Sequence, residues 1–308
     1  MSRARLIAAL LLLGAIGGGA WWAFGPGCIS CNGAGEGEAP DPALALIDPS
    51  QISWTPALTL TASRDNDGNI ILSGTGALGR ATLWQNAKPV LSVAAAADGT
   101  FALTATPEET AGGVEYFVTA TAADGRLVRS SDAVFLLAPE VLVVAGPARI
   151  ARLGEALAAS SVVIDAADWD RTPALRIAGR APPAARVRLY LGNRMVGEAT
   201  ARADGQFHLR LIDMSPFGRY ALRADVLGLE GNVVARAEVT FDRATPRTMG
   251  SGTRVLAAVP EGTEHEVIRL LRHEPGTGLR ETLLFPKDGQ TRDPAEIRPG
   301  QLDAEPLL

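Results

Sequence analysis

The stretch "RVRLYLGNRMVGEATARADGQF", residues 186–207, decides the fold class of this chain. Its opening "RVRLYL" alternates polar and apolar residues, and a period of two places the apolar side chains on one face of a β-strand. The stretch approaches its end through Asp204-Gly205, a pair that is typical of hairpin turns because Gly adopts positive φ without steric cost. We therefore predict consecutive antiparallel strands that bury one face.

The same pattern occurs earlier in the chain, at residues 71–105. Gly74 corresponds to Gly179 and Trp84 to Tyr190, and both stretches carry an Asp-Gly turn at the same relative position. Matched residues differ by 105 or 106 positions, which indicates an internal duplication. Aromatic side chains on strands usually lie in the core, and we expect this of Trp84 and Tyr190.

Short alternating runs separated by turns predict two tandem Ig-like β-sandwiches. We place the first sandwich at residues 51–138 and the second at residues 162–243. Residues 139–161 and 244–253 are expected to be linkers.

Composition excludes some classes of partner. The chain of 308 residues has 34 acidic and 29 basic residues, for a net charge of −5. Such a balance offers no basic face for a polyanion, so we expect no nucleic-acid binding.

The N-terminus predicts export. Two arginines precede the uncharged run "LIAALLLLGAIGGGAWWAF", residues 6–24, which would span roughly 28 Å as a helix. We expect residues 1–25 to be a single-pass anchor in the inner membrane, with the bulk of the chain periplasmic. The alternative is a cleaved signal peptide, which would leave a secreted or periplasmic protein. Residues 26–50 are expected to be a flexible tether.

Cys28 and Cys31 are the only two cysteines. In an exported protein they predict a disulfide, either within the pair or between chains. A redox centre is the less favoured interpretation, because such pairs normally open a helix after a strand.

Motifs for catalysis or metal binding are incomplete. His265-Glu266 begins like HExxH, but Arg269 occupies the position of the second histidine. The oxygen-rich "RDNDGN" (residues 64–69) lacks the later Glu of a calcium loop, so it predicts a β-turn. We predict no catalytic residue, no cofactor and no metal.

Residues 254–308 predict a small α+β module. "RVLAAV" is typical of a strand, and "EGTEHEVIRLLRHEPG" has a helical stripe of apolar residues that Thr263 can cap. "LRETLLF" is expected to form a second short helix, and a rigid turn, "RDPAEIRPGQ", follows.

This order of elements resembles the LysM domain, a small module that binds peptidoglycan and chitin. The turn at residues 292–301 is similar to the "RDPDLIYPGQ" with which many bacterial LysM domains end, and Pro260, Gly262 and Thr263 are similar to the family's first loop. The whole chain resembles alphaproteobacterial envelope proteins that have a membrane segment, Ig-like repeats and a terminal LysM domain. The resemblance implies glycan-binding residues in two loops, namely Glu261, Gly262, Thr263, Asp293, Pro294 and Ile297.

The tail also departs from the LysM pattern. His265 replaces the aromatic residue beyond the first loop, and the sequence after Gln301 lacks an apolar closing strand. We therefore interpret the tail as a degenerate LysM-like module. Retained weak binding of peptidoglycan and complete loss of binding are both left open.

Two functions from different classes follow. The favoured one is a non-enzymatic, membrane-anchored envelope protein whose sandwiches act as a spacer for a peptidoglycan-binding tail. The alternative is a periplasmic interaction scaffold, which binds a protein partner through its Ig-like domains. An enzyme would need a cleft between the sandwiches, and the sequence nominates no residues for it.

Overall fold

Strands dominate the chain in the computed structural model, which describes residues 37–107, 113–138, 141–147, 149–154, 157, 161–212, 218–244, 254–258, 267–274, 278–288 and 290–292. Two short 3₁₀ helices, Pro42–Leu46 and Pro49–Gln51, come first. The first half then contains β1 (Ser53–Thr55), β2 (Thr61–Arg64), β3 (Ile70–Gly74), β4 (Leu78–Gln85), β5 (Lys88–Ala94), β6 (Phe101–Ala105), β7 (Val114–Thr121), β8 (Leu127–Ser130), β9 (Ala133–Ala138), β10 (Val141–Ala145) and β11 (Ile150–Leu153). The second half contains β12 (Val163–Trp169), β13 (Leu175–Arg180), β14 (Arg186–Leu191), β15 (Arg194–Thr200), β16 (Gln206–Leu211), β17 (Gly218–Leu227), β18 (Val233–Arg243), β19 (Arg254–Ala258), β20 (Val267–Glu274), β21 (Gly278–Leu284) and β22 (Thr291–Arg292).

These strands form four sheets, which we number in the order in which they stack. Sheet 1 has the order β2-β3-β6. Sheet 2 runs β1-β8-β7-β9-β10-β11, with β4 paired to β7 and β5 to β4. Sheet 3 has the order β16-β13-β12-β21-β20-β19, and sheet 4 has the order β15-β14-β17-β18-β22.

Two apolar cores make two sandwiches. The first core lies between sheets 1 and 2 and includes Leu72, Leu83 and Tyr116. The second lies between sheets 3 and 4 and includes Trp169 and Phe207. The chain is thus mainly β with tandem sandwiches, as the alternating sequence predicts.

A third apolar cluster joins the two sandwiches. In β9, Val134 and Leu136 belong to the first core, whereas Phe135 and Leu137 point the other way into the third cluster. That cluster also contains Leu270 and Leu284 of sheet 3. Sheets 2 and 3 therefore bury side chains on both faces, and the sandwiches form one four-layered stack.

The duplication is visible in matching packing. Gly74 pairs with Phe101 across β3 and β6, and Gly179 pairs with Phe207 across β13 and β16. A Cβ atom on Gly74 would lie 2.6 Å from the Phe101 ring, and one on Gly179 would lie 2.4 Å from the Phe207 ring. The carbonyl oxygens of Thr59 and Val163 would be closer still, at 2.0 and 2.3 Å. Glycine is needed at both positions because a backbone carbonyl and a phenylalanine ring together occupy the space of a side chain.

The Asp-Gly turns differ from the prediction in one respect. Gly99 lies between β5 of sheet 2 and β6 of sheet 1, and Gly205 lies between β15 of sheet 4 and β16 of sheet 3. Both glycines have positive φ, at 83° and 78°. The turns are real, but they carry the chain from one sheet to the next and do not close hairpins.

The helices predicted in the tail are wrong. Residues 267–274 and 278–284 are strands β20 and β21, and they pair with each other and with β12 inside sheet 3. Val267 lies in the second core and Leu270 in the third cluster, so apolar residues are needed on both faces. A strand buried on both faces reads as a nearly continuous apolar run, which short helices also show.

The tail is therefore part of the second sandwich, in contrast to the predicted separate module. The two-helix arrangement that the LysM resemblance implies is absent from the described residues of this segment. Strand β22 of the tail likewise belongs to the second sandwich, because it pairs with β18 in sheet 4.

Two expected connecting segments also differ. Residues 139–161, predicted to be a linker, contain β10 and β11, which extend sheet 2. Part of the expected tether at 26–50 packs on the first sandwich, because Glu38 forms a β-bridge with Ser92 and an ion pair with Arg80. The apolar runs in both segments are short, so the sequence does not show which strands they pair with.

Candidate functional site

A buried ionic cluster lies where sheet 3 faces the first sandwich. Asp168 of β12 is fully buried, and three arginines surround its carboxylate. The Oδ1 atom lies 2.7 Å from Arg176 Nε and 2.5 Å from Arg280 Nη2, and Oδ2 lies 2.9 Å from Arg272 Nη2. Thr282 donates its hydroxyl proton to Oδ2 at 2.6 Å. We call this set the Asp168 cluster.

The Asp168 cluster combines strands that are far apart in sequence. Arg176 comes from β13, and Arg272 and Arg280 come from β20 and β21 of the tail. Thr282 is the register partner of Asp168, and it also accepts a hydrogen bond from Arg272. The tail therefore supplies both structure and charge to the second sandwich.

Hydrogen bonds from this region cross to the first sandwich. Arg176 Nη1 donates to the carbonyl oxygens of Gly146 at 2.8 Å and Pro147 at 2.6 Å, just after β10. In the reverse direction, Arg152 of β11 donates to the carbonyl oxygen of Phe285 at 3.3 Å. The third cluster thus has polar contacts at its margin that fix the two sandwiches in one orientation.

The electrostatics of Asp168 favour a structural role. Burial alone would raise the pKa of this carboxyl, but Arg272, Arg176 and Arg280 outweigh burial and hold the pKa well below its usual range. Both carboxylate oxygens already accept from arginine or threonine donors. A carboxylate that is permanently ionised and fully hydrogen-bonded is a poor general base.

The outer face of sheet 4 carries a second ordered set of charges. Side chains of alternating sign lie side by side across β15, β14, β17 and β18, namely Glu198, Arg188, Asp225 and Arg236. Arg236 binds Asp225 through two contacts of 2.6 and 2.9 Å, and Arg188 Nη2 lies 3.4 Å from Glu198. We call these four residues the charged rung.

Next to the charged rung, Arg223 lies over the ring of Tyr190 with 3.9 Å between the guanidinium carbon and the ring centroid. Arg223 also lies 3.4 Å from Asp225, which is itself buried. Tyr190 therefore lies on the outer face of the sheet, and the prediction that it lies in the core is wrong.

The first sandwich has uncharged residues at the equivalent positions. Ser92, Thr82 and Thr119 precede Glu198, Arg188 and Asp225 by 106 residues each. They are buried, Thr82 and Ser92 share a hydrogen bond of 2.8 Å, and Thr119 accepts from Trp84 Nε1 at 2.8 Å. Trp84 is buried as predicted, but it lies in the third cluster and stacks on Phe117.

The predicted site residues are not tested by these observations. Glu261, Gly262, Thr263, Asp293, Pro294 and Ile297 lie outside the described residues, as do Cys28, Cys31 and the apolar run 6–24. Sequence analysis missed the Asp168 cluster. The available signal was an acidic residue inside the apolar strand "VIDAADW" together with arginines inside the apolar tail segments "VIRLLRHE" and "GLRETLL".

Two further observations apply to the described part of the chain. It contains no group of three or more His, Cys, Asp or Glu residues placed to hold a metal ion. None of the helices described there is long and apolar enough to cross a membrane.

No family model and no curated protein matches the chain. Among solved structures, it is similar to a tetra-tandem repeat in the extending region of a large adhesion protein, with 15% identity, 77% of this chain covered and a TM-score of 0.21. It is also similar to the BSP domain of a biofilm associated protein (16% identity, 63% covered, TM-score 0.21) and to the central fibronectin-III array of RIM-binding protein (11%, 78%, 0.27). The chain spans 65%, 31% and 96% of these three structures.

Proposed function

We propose that this chain is a non-enzymatic, exported envelope protein that acts as a rigid interaction scaffold and presents the outer face of sheet 4 to a protein partner. One observation carries the proposal. The equivalent face of the first sandwich is uncharged and covered by the chain itself. That of the second sandwich is not covered by another sheet of the described residues and carries the charged rung, of which Glu198 is exposed, Arg188 is half-buried and the Asp225–Arg236 pair is buried.

The chemistry of this open face suits a protein partner. Arginine and tyrosine are enriched at protein interfaces, and Arg223 and Tyr190 lie beside the charged rung. Fixed charges of alternating sign give specificity, because a partner must place complementary charges at the strand spacing. The ion pairs within the rung hold these side chains in place before the partner arrives.

The stacking of the sandwiches argues against the spacer function. Face-to-face packing through the third cluster shortens the distance that two sandwiches could span end to end. Strands β20 and β21 are built into sheet 3, so they are not a separate module at the far end. The proposal therefore assigns the tail a structural role and no glycan binding.

The proposed location is periplasmic, with residues 1–25 as a membrane anchor. A reporter enzyme fused after residue 308 should be active only outside the cytoplasm. Cytoplasmic activity alone would contradict export.

Site-specific photo-crosslinking in cells tests the partner surface. A photoreactive amino acid at Glu238, which is exposed on the outer face of sheet 4, should give a discrete adduct. The same probe at Thr104, exposed on sheet 1, should give none. Arg188→Glu should reduce the adduct at position 238, because it breaks the charge pattern without touching either core.

Equal adducts from positions 238 and 104, or an adduct that Arg188→Glu leaves unchanged, would contradict the proposed surface. A parallel co-sedimentation of the full chain with purified peptidoglycan separates the two functions. Specific sedimentation would favour the glycan-binding alternative and count against a purely structural tail.

A further inference from the structure

A small cavity lies at the margin of the junction between the sandwiches. It measures about 230 Å³ and is bounded by Pro147, Arg149 and Ile150 of the first sandwich and by Arg176, His208 and Arg210 of sheet 3. Drug-sized pockets begin at about 300 Å³, so this cavity suits a smaller molecule. None of the residues that line it in the described part of the chain is acidic.

Two arginines in the cavity lie directly opposite each other. Arg176 of β13 is the register partner of Arg210 of β16, so their side chains share the face of sheet 3 that looks toward the first sandwich. Like charges at directly opposed positions destabilise an antiparallel pair unless an anion lies between or beside them. Arg176 shares the Asp168 carboxylate with two other arginines, whereas the exposed side chain of Arg210 has no ion pair or hydrogen bond within the described residues.

A third arginine is held at the cavity from the first sandwich. Arg149 binds Asp132 through Nε at 2.8 Å and donates from Nη2 to the carbonyl oxygen of Leu60 at 2.6 Å. These contacts fix the orientation of the guanidinium group and leave Nη1 as a donor without a partner in the described part of the chain. A preorganised guanidinium is well suited to bind an oxyanion.

His208 provides the second, independent observation. It is the register partner of Ala178, so it lies on the same face of sheet 3 as Arg210. Its Nε2 atom is buried and has no hydrogen-bond partner in the described part of the structure. Burial and the nearby Arg202, Arg149 and Arg176 lower the pKa of His208 to about 4, although Asp204 acts in the opposite direction. A ring nitrogen without a partner in a positive environment is rare unless a ligand or water completes it.

We propose that this cavity is a binding site for a small oxyanion, a phosphate or a carboxylate, held by Arg149 and Arg210 from the two sandwiches and contacted by His208. An anion placed there offsets the repulsion between Arg176 and Arg210 and accepts from the free donors of Arg149. Because its ligands come from both sandwiches, the site forms only when the junction is intact.

Binding can be measured on the full chain in detergent by isothermal titration calorimetry, with inorganic phosphate and succinate as separate probes. We expect saturable binding of at least one probe that weakens as chloride is added. Arg210→Gln should weaken this binding about tenfold, because it removes one charge-assisted pair. Arg194→Gln is the matched control, since Arg194 is exposed at the edge strand β15 and lies outside the cavity.

NMR of the histidine rings separates specific binding from a general charge effect, because only a ligand in the cavity should shift the His208 signal. The chain has three histidines, so a ring-labelled sample gives few signals and His208→Gln assigns the relevant one. The His208 signal should shift with the probe in wild type and in Arg194→Gln, and much less in Arg210→Gln. Tighter binding of phosphate or of succinate would identify which oxyanion the site prefers.

Absence of saturable binding for both probes would overturn the proposal. Equal weakening by Arg210→Gln and Arg194→Gln would also overturn it, because it would indicate non-specific attraction. Thermal unfolding of each variant verifies that the fold is intact before binding is compared.

Discussion

At the scale of single residues, the Asp168 carboxylate is the common partner of three buried arginines. Replacing it by Asn keeps the shape but leaves Arg176, Arg272 and Arg280 buried without their common counter-charge. We expect Asp168→Asn to lower the free energy of unfolding by about 3–5 kcal/mol, the usual cost of removing one member of a buried ion pair. Urea denaturation measures this change.

Asp242→Asn is the control for that substitution, because Asp242 is exposed on β18. We expect a change within about 0.5 kcal/mol there. Similar losses in the two variants would show that the Asp168 cluster does not stabilise the fold. The lowered pKa of Asp168 also makes stability depend on pH. The stabilisation from this carboxylate is complete above the pKa that Asp168 has in the unfolded chain, and it is lost as the pH falls from there toward the lower pKa of the folded chain.

The lowered pKa of His208 predicts a second dependence of stability on pH. Its folded pKa of about 4 lies below the ordinary 6.5, so the unfolded chain binds more protons between these values. Stability should therefore fall as the pH drops from about 6.5 to 4, by on the order of 2 kcal/mol after allowance for partial exposure. Urea midpoints at several pH values should show a shallower slope in His208→Gln, and an unchanged slope would refute the prediction.

Sequence reasoning identifies few of these residues. The stretch "QFHLRL" alternates and places His208 on the face opposite Phe207, but alternation does not show what packs against that face. Asp168 has no sequence neighbour that could reveal its partners, since Arg280 follows it by 112 residues and the pairing arises only from the position of β21 in sheet 3. Buried charge networks of this kind require the topology first.

At the scale of elements, the tail strands determine whether the second sandwich is complete. A chain that ends at residue 250 lacks β19, β20 and β21 of sheet 3, and Asp168 loses two of its three arginines. We expect this truncation to abolish cooperative unfolding of the second sandwich, measured by near-UV circular dichroism and urea titration. A chain that ends at Arg292 keeps every described strand and is the control.

An independent tail module would give the opposite result. In that case the chain ending at residue 250 would keep the same urea midpoint as the control. The outcome thus decides between a separate C-terminal domain and a tail that belongs to the sandwich.

A substitution in the hairpin turn between β4 and β5 should stabilise the fold slightly. Asn86 and Ala87 form its turn with φ of 47° and 66°, and this left-handed region is unfavourable for alanine. Ala87→Gly should raise the free energy of unfolding by about 0.5–1 kcal/mol, measured by urea denaturation. Ala123→Gly, at an exposed turn residue with ordinary φ, should be neutral or destabilising, and equal gains in both variants would contradict the argument.

Whether a strand can be predicted from the sequence depends on how many of its faces are buried. Strands with one exposed face alternate clearly, so "RVRLYL" gives β14 directly from the sequence. Strands with two buried faces lose this alternation, and "VIRLLRHE" in β20 then has apolar residues that also fit a helix. The errors in the tail and in the predicted linker fall on such doubly buried strands.

At the scale of the whole molecule, the third cluster couples the two sandwiches. Phe135 is almost fully buried within it, and Phe135→Ala should lower stability by about 3–5 kcal/mol. We also expect one calorimetric transition in the wild-type chain and two in Phe135→Ala, because each sandwich keeps its own core. Phe101→Ala, inside the first core, is the matched control and should lower stability without separating the transitions.

Two separated transitions already in the wild-type chain would show that the third cluster does not couple the sandwiches. The duplication predicts the sandwiches themselves but not their coupling. Ser92, Thr82 and Thr119 are uncharged where the second repeat has charges, and this difference is the one sequence signal that one face is covered and the other open.

The charged rung has a consequence for assembly between molecules. Many chains built from repeats polymerise by stacking one apolar face on the next, and such growth leads to filaments or aggregates. Docking an apolar face like that of sheet 2 onto sheet 4 would strip water from Glu198, which is exposed, and from Arg188, which is half-buried, and the apolar face offers neither of them a polar partner. Stacking of one copy on the next through this surface is therefore unfavourable.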